Sequence, residues 1–295
     1  MSPETRSMMT EADINILRCP RCQAELALAA ERHARHGSMA LTCGRCGATW
    51  PIVDGFPDLV HAETLHTADC FLNFVYDAIA PFHDFGTSVA LPLAQCVSDR
   101  EVRSRVVRCL DLGDLHSRNG LPLRILEVGS GTGINWPIVE DTVPVHLDVE
   151  FWAVDLSTKM LAQTRRRANR EVARRVRIIR ADVHNLPFAD ASFDRVFHVG
   201  AVSTFGDQRL ALAEMARVAV PGSPIVIVDE RLDPAKCHPL HRRALFKALT
   251  WYDRNPDAPG ADQLPKGAVF EVVQVSLFFY CMSFRVGTKI GRKRG

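Results

Sequence analysis

The sequence predicts an α/β fold: a mostly parallel sheet with helices on both faces, preceded by a small metal-stapled module. Three observations carry this. Five short apolar runs alternate with helical stretches between residues 123 and 229, the βαβα order of a parallel sheet. Two Cys-x-x-Cys knuckles precede them, Cys19-Pro-Arg-Cys22 and Cys43-Gly-Arg-Cys46. The chain has 295 residues, 47% of them hydrophobic, which is enough for a large core and one or two domains at roughly 150 residues each. Ordinary globular usage excludes disorder, collagen and a coiled-coil rod as descriptions of the whole chain.

Residues 1–17 read as an N-terminal tail or a first short element, and 18–62 as the zinc-ribbon module. Its knuckles bend the backbone so that four thiolates face one ion. Four sulfur ligands close a tetrahedral Zn2+ shell with no position for water, so the expected role of Cys19, Cys22, Cys43 and Cys46 is structural. Redox chemistry is the weaker reading, because such a motif normally comes once, and disulfides are disfavoured in a cytosolic chain. Gly44 and Gly47 are expected to help the second turn. Ala24–Ala30 and Met39–Thr42 read as strands, and Asp54-Gly55 is a hairpin signal. Cys70, Cys96, Cys109, Cys237 and Cys281 are scattered and read as small hydrophobes.

Residues 63–118 read as a helical lid and linker. Phe71, Phe74, Val75, Ala78 and Ile79 make a helical stripe ended by Pro81. Residues 119–295 hold the sheet. Its strands are Leu123–Gly129, Phe151–Asp155, Val176–Ala181, Phe193–Val199 and Pro224–Asp229, with an antiparallel hairpin within Val269–Val286 at one edge. No apolar run approaches the roughly 18 residues of a membrane span, and the N-terminus shows no secretory signal, so a cytoplasmic location without membrane partners is expected.

The chemistry sits after the first strand, in Glu127-Val-Gly129-Ser130-Gly131-Thr-Gly133. Glycines there admit a ligand without Cβ clashes. The dinucleotide pattern fails, since Ile134 or Trp136 stands where its last glycine belongs, and the Walker Lys and Ser/Thr are absent. Asp155 ends the second strand, where a carboxylate can accept from both ribose hydroxyls.

An acidic residue followed by alternating glycines resembles the cofactor loop of class I S-adenosylmethionine-dependent methyltransferases. Asp155, Asp182 in Ala-Asp-Val-His-Asn-Leu-Pro-Phe, Ser192-Phe-Asp194 and Arg217-Val-Ala-Val-Pro-Gly222 follow in that family's order. The resemblance spans about residues 121–286 and is nearest to the ubiquinone/menaquinone-biosynthesis-like group. It implies a Rossmann-like seven-stranded sheet, with S-adenosylmethionine held by Glu127, Gly129, Ser130, Gly131, Gly133, Asp155, Leu156, Asp182 and Val183. It also implies that Asp182 accepts from the adenine amino group. The segment Phe74–Asp84 is similar to that group's lid over the cofactor, with His83 where the family usually carries Tyr. The module, with Trp50-Pro-Ile-Val-Asp-Gly-Phe-Pro-Asp-Leu59, resembles the small zinc-binding activator of tRNA and protein methyltransferases.

The function expected is methyl transfer to a small-molecule acceptor, an in-line displacement requiring orientation and exclusion of water. A base is needed only if the acceptor is protonated; His83 and His198 are the candidates, then His238 and His241. Ribosomal or transfer RNA is the rival substrate, since eight Arg lie between Arg165 and Arg180. Against it, the net charge is only +2 and Arg165, Arg166, Arg167 and Arg170 suit the solvated face of a helix. A non-catalytic cofactor-binding module is the third reading. Neither the acceptor nor the oligomeric state is legible.

Overall fold

The computed structural model describes residues 9–30, 39–65, 99–115, 121–200, 202–250 and 256–287. His83, the rest of the segment read as a lid, Cys70 and Cys96 lie outside the described residues.

A four-stranded antiparallel sheet comes first: β1 (Leu26–Ala30), β2 (Met39–Cys43), β3 (Thr49–Val53) and β4 (Phe56–Pro57), paired in that order. Between β3 and β4, Asp54 and Gly55 both have positive φ, 51° and 82°. That is the conformation a two-residue hairpin turn demands, and it explains the Asp-Gly pair. Ahead of β1 lies a short helix, α1 (Glu11–Ile14), closed by a capping box between Thr10 and Asp13.

The second sheet has seven strands in the order β10-β11-β9-β8-β5-β6-β7. They are β5 (Leu123–Val128), β6 (Val149–Asp155), β7 (Val176–Arg180), β8 (Arg195–Val199), β9 (Ile225–Glu230), β10 (Val269–Gln274) and β11 (Phe279–Arg285). β5 to β9 are mutually parallel, while β11 runs antiparallel between β9 and β10, as expected of the terminal hairpin. Along β5, Leu123 and Ile125 pack into one buried cluster and Leu126 and Val128 into another. Both faces are therefore covered, as a parallel sheet requires. The covering helices are α2 (Asp99–Cys109), α3 (Trp136–Thr142), α4 (Thr158–Glu171) and α5 (Gln208–Val218). A sixth, α6 (Leu240–Leu249), leaves Leu240 and Leu245 exposed. No helix of the described residues is long and apolar enough to cross a membrane.

The two sheets share one core. Leu17, Leu41 and Leu59 from the cysteine module pack in the same buried cluster as Trp152, Ile179 and Phe188. Leu59 N–H donates to the Arg180 carbonyl at 2.8 Å, so the chain leaving β4 extends the β7 edge by one bridge. Arg180 also pairs with Asp58 at 2.7 Å. The Asp13 carboxylate, fully buried, is paired with Arg177 and with Arg175. Burial alone would push its pKa up; the Thr10 N–H and the two guanidinium groups outweigh that and hold it below the ordinary value. Residues 10–17 are thus an integral first element. The segment after α2 is packed as well: Leu110, Leu112 and Leu115 are buried, and Arg195 donates to the carbonyls of Leu110 and Asp111 at 2.7 and 2.8 Å.

Candidate functional site

The parallel strands bring the tips of β5, β6 and β7 side by side, and the expected cofactor residues converge there. Gly129, Gly131 and Gly133 all have positive φ, 64°, 54° and 71°. Two of them are also close-packed. A Cβ on Gly129 would meet the His198 ring at 3.0 Å, and one on Gly133 would meet Thr164 at 2.9 Å. Three side chains hold the loop. Asp155 Oδ2 accepts from Gly131 N–H at 2.8 Å, Thr164 Oγ1 donates to the Gly131 carbonyl at 2.7 Å, and Arg167 donates to the Thr132 carbonyl at 2.6 Å. The other Asp155 oxygen accepts from Ser157 N–H at 2.8 Å.

Glu127 lies beneath the loop. Its Oε1 accepts from Asn135 Nδ2 at 2.6 Å, and Arg103 donates to Asn135 Oδ1 at 2.6 Å. Burial pushes its pKa up to about 8, against the smaller lowering effect of Asn135. At the tip of β7, Asp182 Oδ1 accepts twice from His184, from the backbone N–H at 3.0 Å and from Nδ1 at 2.8 Å. Leu156 follows Asp155, and Val183 opens the short turn after Asp182.

On β8, His198 Nδ1 contacts the Val128 carbonyl at 2.7 Å, so this nitrogen carries the proton and Nε2 the lone pair. Burial holds its pKa below the ordinary histidine value. The ring lies 4.8 Å from that of Phe205. Glu127 Oε2, Ser130 Oγ, Asp182 Oδ2 and His198 Nε2 are buried without a hydrogen-bond partner among the described residues. Of the other histidines, His241 is exposed, and His238 Nε2 is tied to the Asp233 carbonyl at 2.7 Å.

The four knuckle sulfurs lie within 4.8 Å of one another, with Cys19–Cys46 at 3.7 Å and Cys22–Cys43 at 3.5 Å. A tetrahedron of sulfurs at ~2.3 Å from one ion has edges of ~3.8 Å, so the set fits such an ion. The facing sulfurs titrate together: backbone N–H of Cys46 and then Arg45 lower the Cys43 thiol, while Cys19 and Cys22 are raised. The turn uses Gly47 in the left-handed region but not Gly44. Gln23 takes the matching place in the first knuckle at φ 60°, and its amide donates to Asn185 Oδ1 at 2.8 Å.

Sequence reasoning gave no role at the glycine loop or the strand tips to Asn135, Arg103, Thr164, Arg167 or His184, which act on the motif residues from other elements. Of the arginines expected on the solvated face of α4, Arg166 and Arg170 are exposed, whereas Arg167 is turned to the loop. Arg167 holds the loop, Arg174 pairs with Glu140 at 2.5 Å, and Arg175, Arg177 and Arg180 pair with acids.

Residues 126–227 match the family described as methyltransferase domain. The chain is 35% identical over 130 residues to a malonyl-[acyl-carrier protein] O-methyltransferase of Halorhodospira halophila, covering 44% of this chain and 41% of that protein. It is 32% identical over 128 residues to a demethylmenaquinone methyltransferase of Thermus thermophilus, covering 43% and 56%. It thus spans about half the length of these curated relatives. Phosphoethanolamine N-methyltransferase 2 of Haemonchus contortus, solved with S-adenosyl-L-methionine, superposes with a TM-score of 0.52 at 14% identity, covering 79% of this chain and 62% of that one. Strand order and superposition agree that the seven-stranded unit has the Rossmann-like methyltransferase fold, and residues 126–227 are the stretch that matches the methyltransferase domain family.

Proposed function

We propose that the chain is an S-adenosylmethionine-dependent methyltransferase for a small-molecule acceptor, with a structural zinc ion on Cys19, Cys22, Cys43 and Cys46. The observation that carries it is the set of buried, partnerless polar atoms around the glycine loop: Glu127 Oε2, Ser130 Oγ, Asp182 Oδ2 and His198 Nε2. Burying such atoms costs about 1–3 kcal/mol each unless a ligand completes them. The donor and acceptor set suits this cofactor. Asp155 at the β6 tip is the acceptor for the ribose hydroxyls, Asp182 Oδ2 the one for the adenine amino group, and Glu127 Oε2 the one for an ammonium group. Leu156 and Val183 flank the two aspartates. A bound sulfonium supplies an already activated methyl group, so the chain need only align the acceptor and exclude water. His198, neutral at pH 7 with its Nε2 lone pair buried and unpartnered among the described residues, is the base for an acceptor that carries a proton. His83 is the second candidate, from the lid segment.

Several relatives are named as O-methyltransferases or as demethylmenaquinone methyltransferases, which supports a small acceptor. The internal pairing of Arg174, Arg175, Arg177 and Arg180 argues against RNA, since these cations already have acidic partners.

Calorimetric titration tests the reading. S-adenosylmethionine should bind in preference to NAD, and Asp155→Ala should weaken it by roughly tenfold or more, through loss of the ribose acceptor and of the Gly131 tie. Equal affinity in the variant would remove Asp155 from the site, and preference for NAD would end the proposal.

A further inference from the structure

We propose that His184 is a positioning residue that fixes the Asp182 carboxylate as a pure acceptor and thereby makes the site selective for a 6-amino purine. The proposal rests on the reading of Asp182 as the adenine acceptor given above.

The geometry gives both nitrogens of the His184 ring a task. Nε2 lies 3.1 Å from the backbone N–H of Asp207, which can only donate, so Nε2 must accept. The proton is therefore on Nδ1, which donates to Asp182 Oδ1 at 2.8 Å. The His184 backbone N–H adds a second donor to the same oxygen at 3.0 Å. The ring is buried, with its edge toward Phe205 at 6.1 Å between centroids. Asp207 is itself held as the N-cap of α5, where its Oδ1 accepts from Leu210 N–H at 3.0 Å. The result is a fixed line from the start of α5 through the imidazole to the carboxylate.

Two consequences follow for Asp182. Two donors on Oδ1 stop the carboxylate from turning, so the oxygen left over is always Oδ2, which is buried and has no partner among the described residues. The oxygen so fixed offers a ligand its lone pairs. A ligand group meeting Oδ2 must then donate. The 6-amino group of adenine does so; the 6-oxo group of hypoxanthine presents an acceptor and is repelled. Without the imidazole, the carboxylate can rotate away and so accommodate a 6-oxo ligand.

The test is binding of S-adenosylhomocysteine and S-inosylhomocysteine to the full chain by calorimetry. Wild type should prefer the adenosyl ligand by roughly 10- to 100-fold, the effect of one charge-assisted hydrogen bond made or unmade. His184→Ala should collapse that ratio at least about fivefold. His184→Asn should keep it, because its amide N–H can stand where Nδ1–H stood, whereas His184→Gln places its amide at the Nε2 end and should lose it. Should His184→Ala not fold, the Asn and Gln variants decide by the same ratio. Equal binding of both ligands by wild type would remove the reading of Asp182 itself. Clear discrimination in wild type that persists in the Ala and Gln variants would overturn the role of His184 alone.

Discussion

The seam between the cysteine module and β7 and the cleft at the strand tips are both buried and polar, yet they are completed differently. At the seam the charged groups satisfy one another. Asp13 meets Arg175 and Arg177, Glu150 meets Arg177 at 2.7 Å and Arg124 at 2.8 Å, and Asp58 meets Arg180. At the strand tips, acceptors are held in place by neighbours and then left one partner short, as Asp182 and Glu127 are. A self-completed polar network fixes how two parts of a chain pack. A network that is held but incomplete waits for a ligand. The seam is therefore completed from within, and the strand tips are where the proposed cofactor would supply the missing partners, although both are built from the same residue types.

The largest effect that bears on this contrast is removal of the zinc ion proposed above. Cys43→Ser should release zinc, and because Leu17, Leu41 and Leu59 share a core with Trp152 and Ile179, the loss should reach the large sheet. Calorimetry should show one unfolding transition shifted down as a whole. Two transitions, the larger unmoved, would mean that the seam does not couple the parts. Asp13→Asn tests the same seam with a smaller change. It leaves two guanidinium groups without their buried partner, at about 3 kcal/mol. The pH dependence has a definite sign. Asp13 has its pKa lowered, so its contribution is present above the unfolded value of 3.8 and is lost as pH falls through the folded value. In the variant, this acid sensitivity should shrink in urea titrations.

The cleft gives the opposite sign. Burial raises the Glu127 pKa from 4.5 to about 8, so the ligand-free folded state holds a proton there that the unfolded state releases. Stability should fall between pH 4.5 and about 8, by up to ~1.4 kcal/mol per pH unit from this group. Glu127→Gln should flatten that fall, and an unchanged profile would mean that the carboxyl is solvated. S-adenosylmethionine, which brings positive charge, should lower the Glu127 pKa and release protons on binding near pH 7. Titrations in buffers of different ionisation enthalpy would detect this.

The sheet was legible because burial on both faces demands continuous apolar runs, such as Pro224–Asp229, and because turn chemistry is local, as at Asp54-Gly55. Glu127, Asp155 and Asp182 were legible because each sits at a strand tip within a recognisable motif. What orients them was not. Asn135, His184 and Thr164 are ordinary residues in sequence, and their roles come from helices and turns that pack against the strand tips. The seam was hidden for the same reason: Asp13 meets Arg177 across 164 positions, and no local pattern announces the pair.

The smallest effects separate neighbours on one helix. Within α4, Arg166 and Arg170 are exposed, whereas Arg167 donates to both the carbonyl and the hydroxyl of Thr132, at 2.6 and 3.0 Å. Arg166→Gln and Arg170→Gln together should change stability by less than ~0.5 kcal/mol each and leave S-adenosylmethionine affinity as it was. Arg167→Gln should weaken cofactor binding severalfold, because the glycine loop loses one of its three side-chain ties. Its stability cost should stay near 1 kcal/mol, the net value of a typical hydrogen bond. An RNA substrate would invert the order. The exposed pair would then carry phosphate contacts, and their loss would reduce a salt-dependent gel shift while Arg167→Gln left that shift in place. Equal, negligible effects of all three on both measurements would show that the loop is held by Asp155 and Thr164 alone.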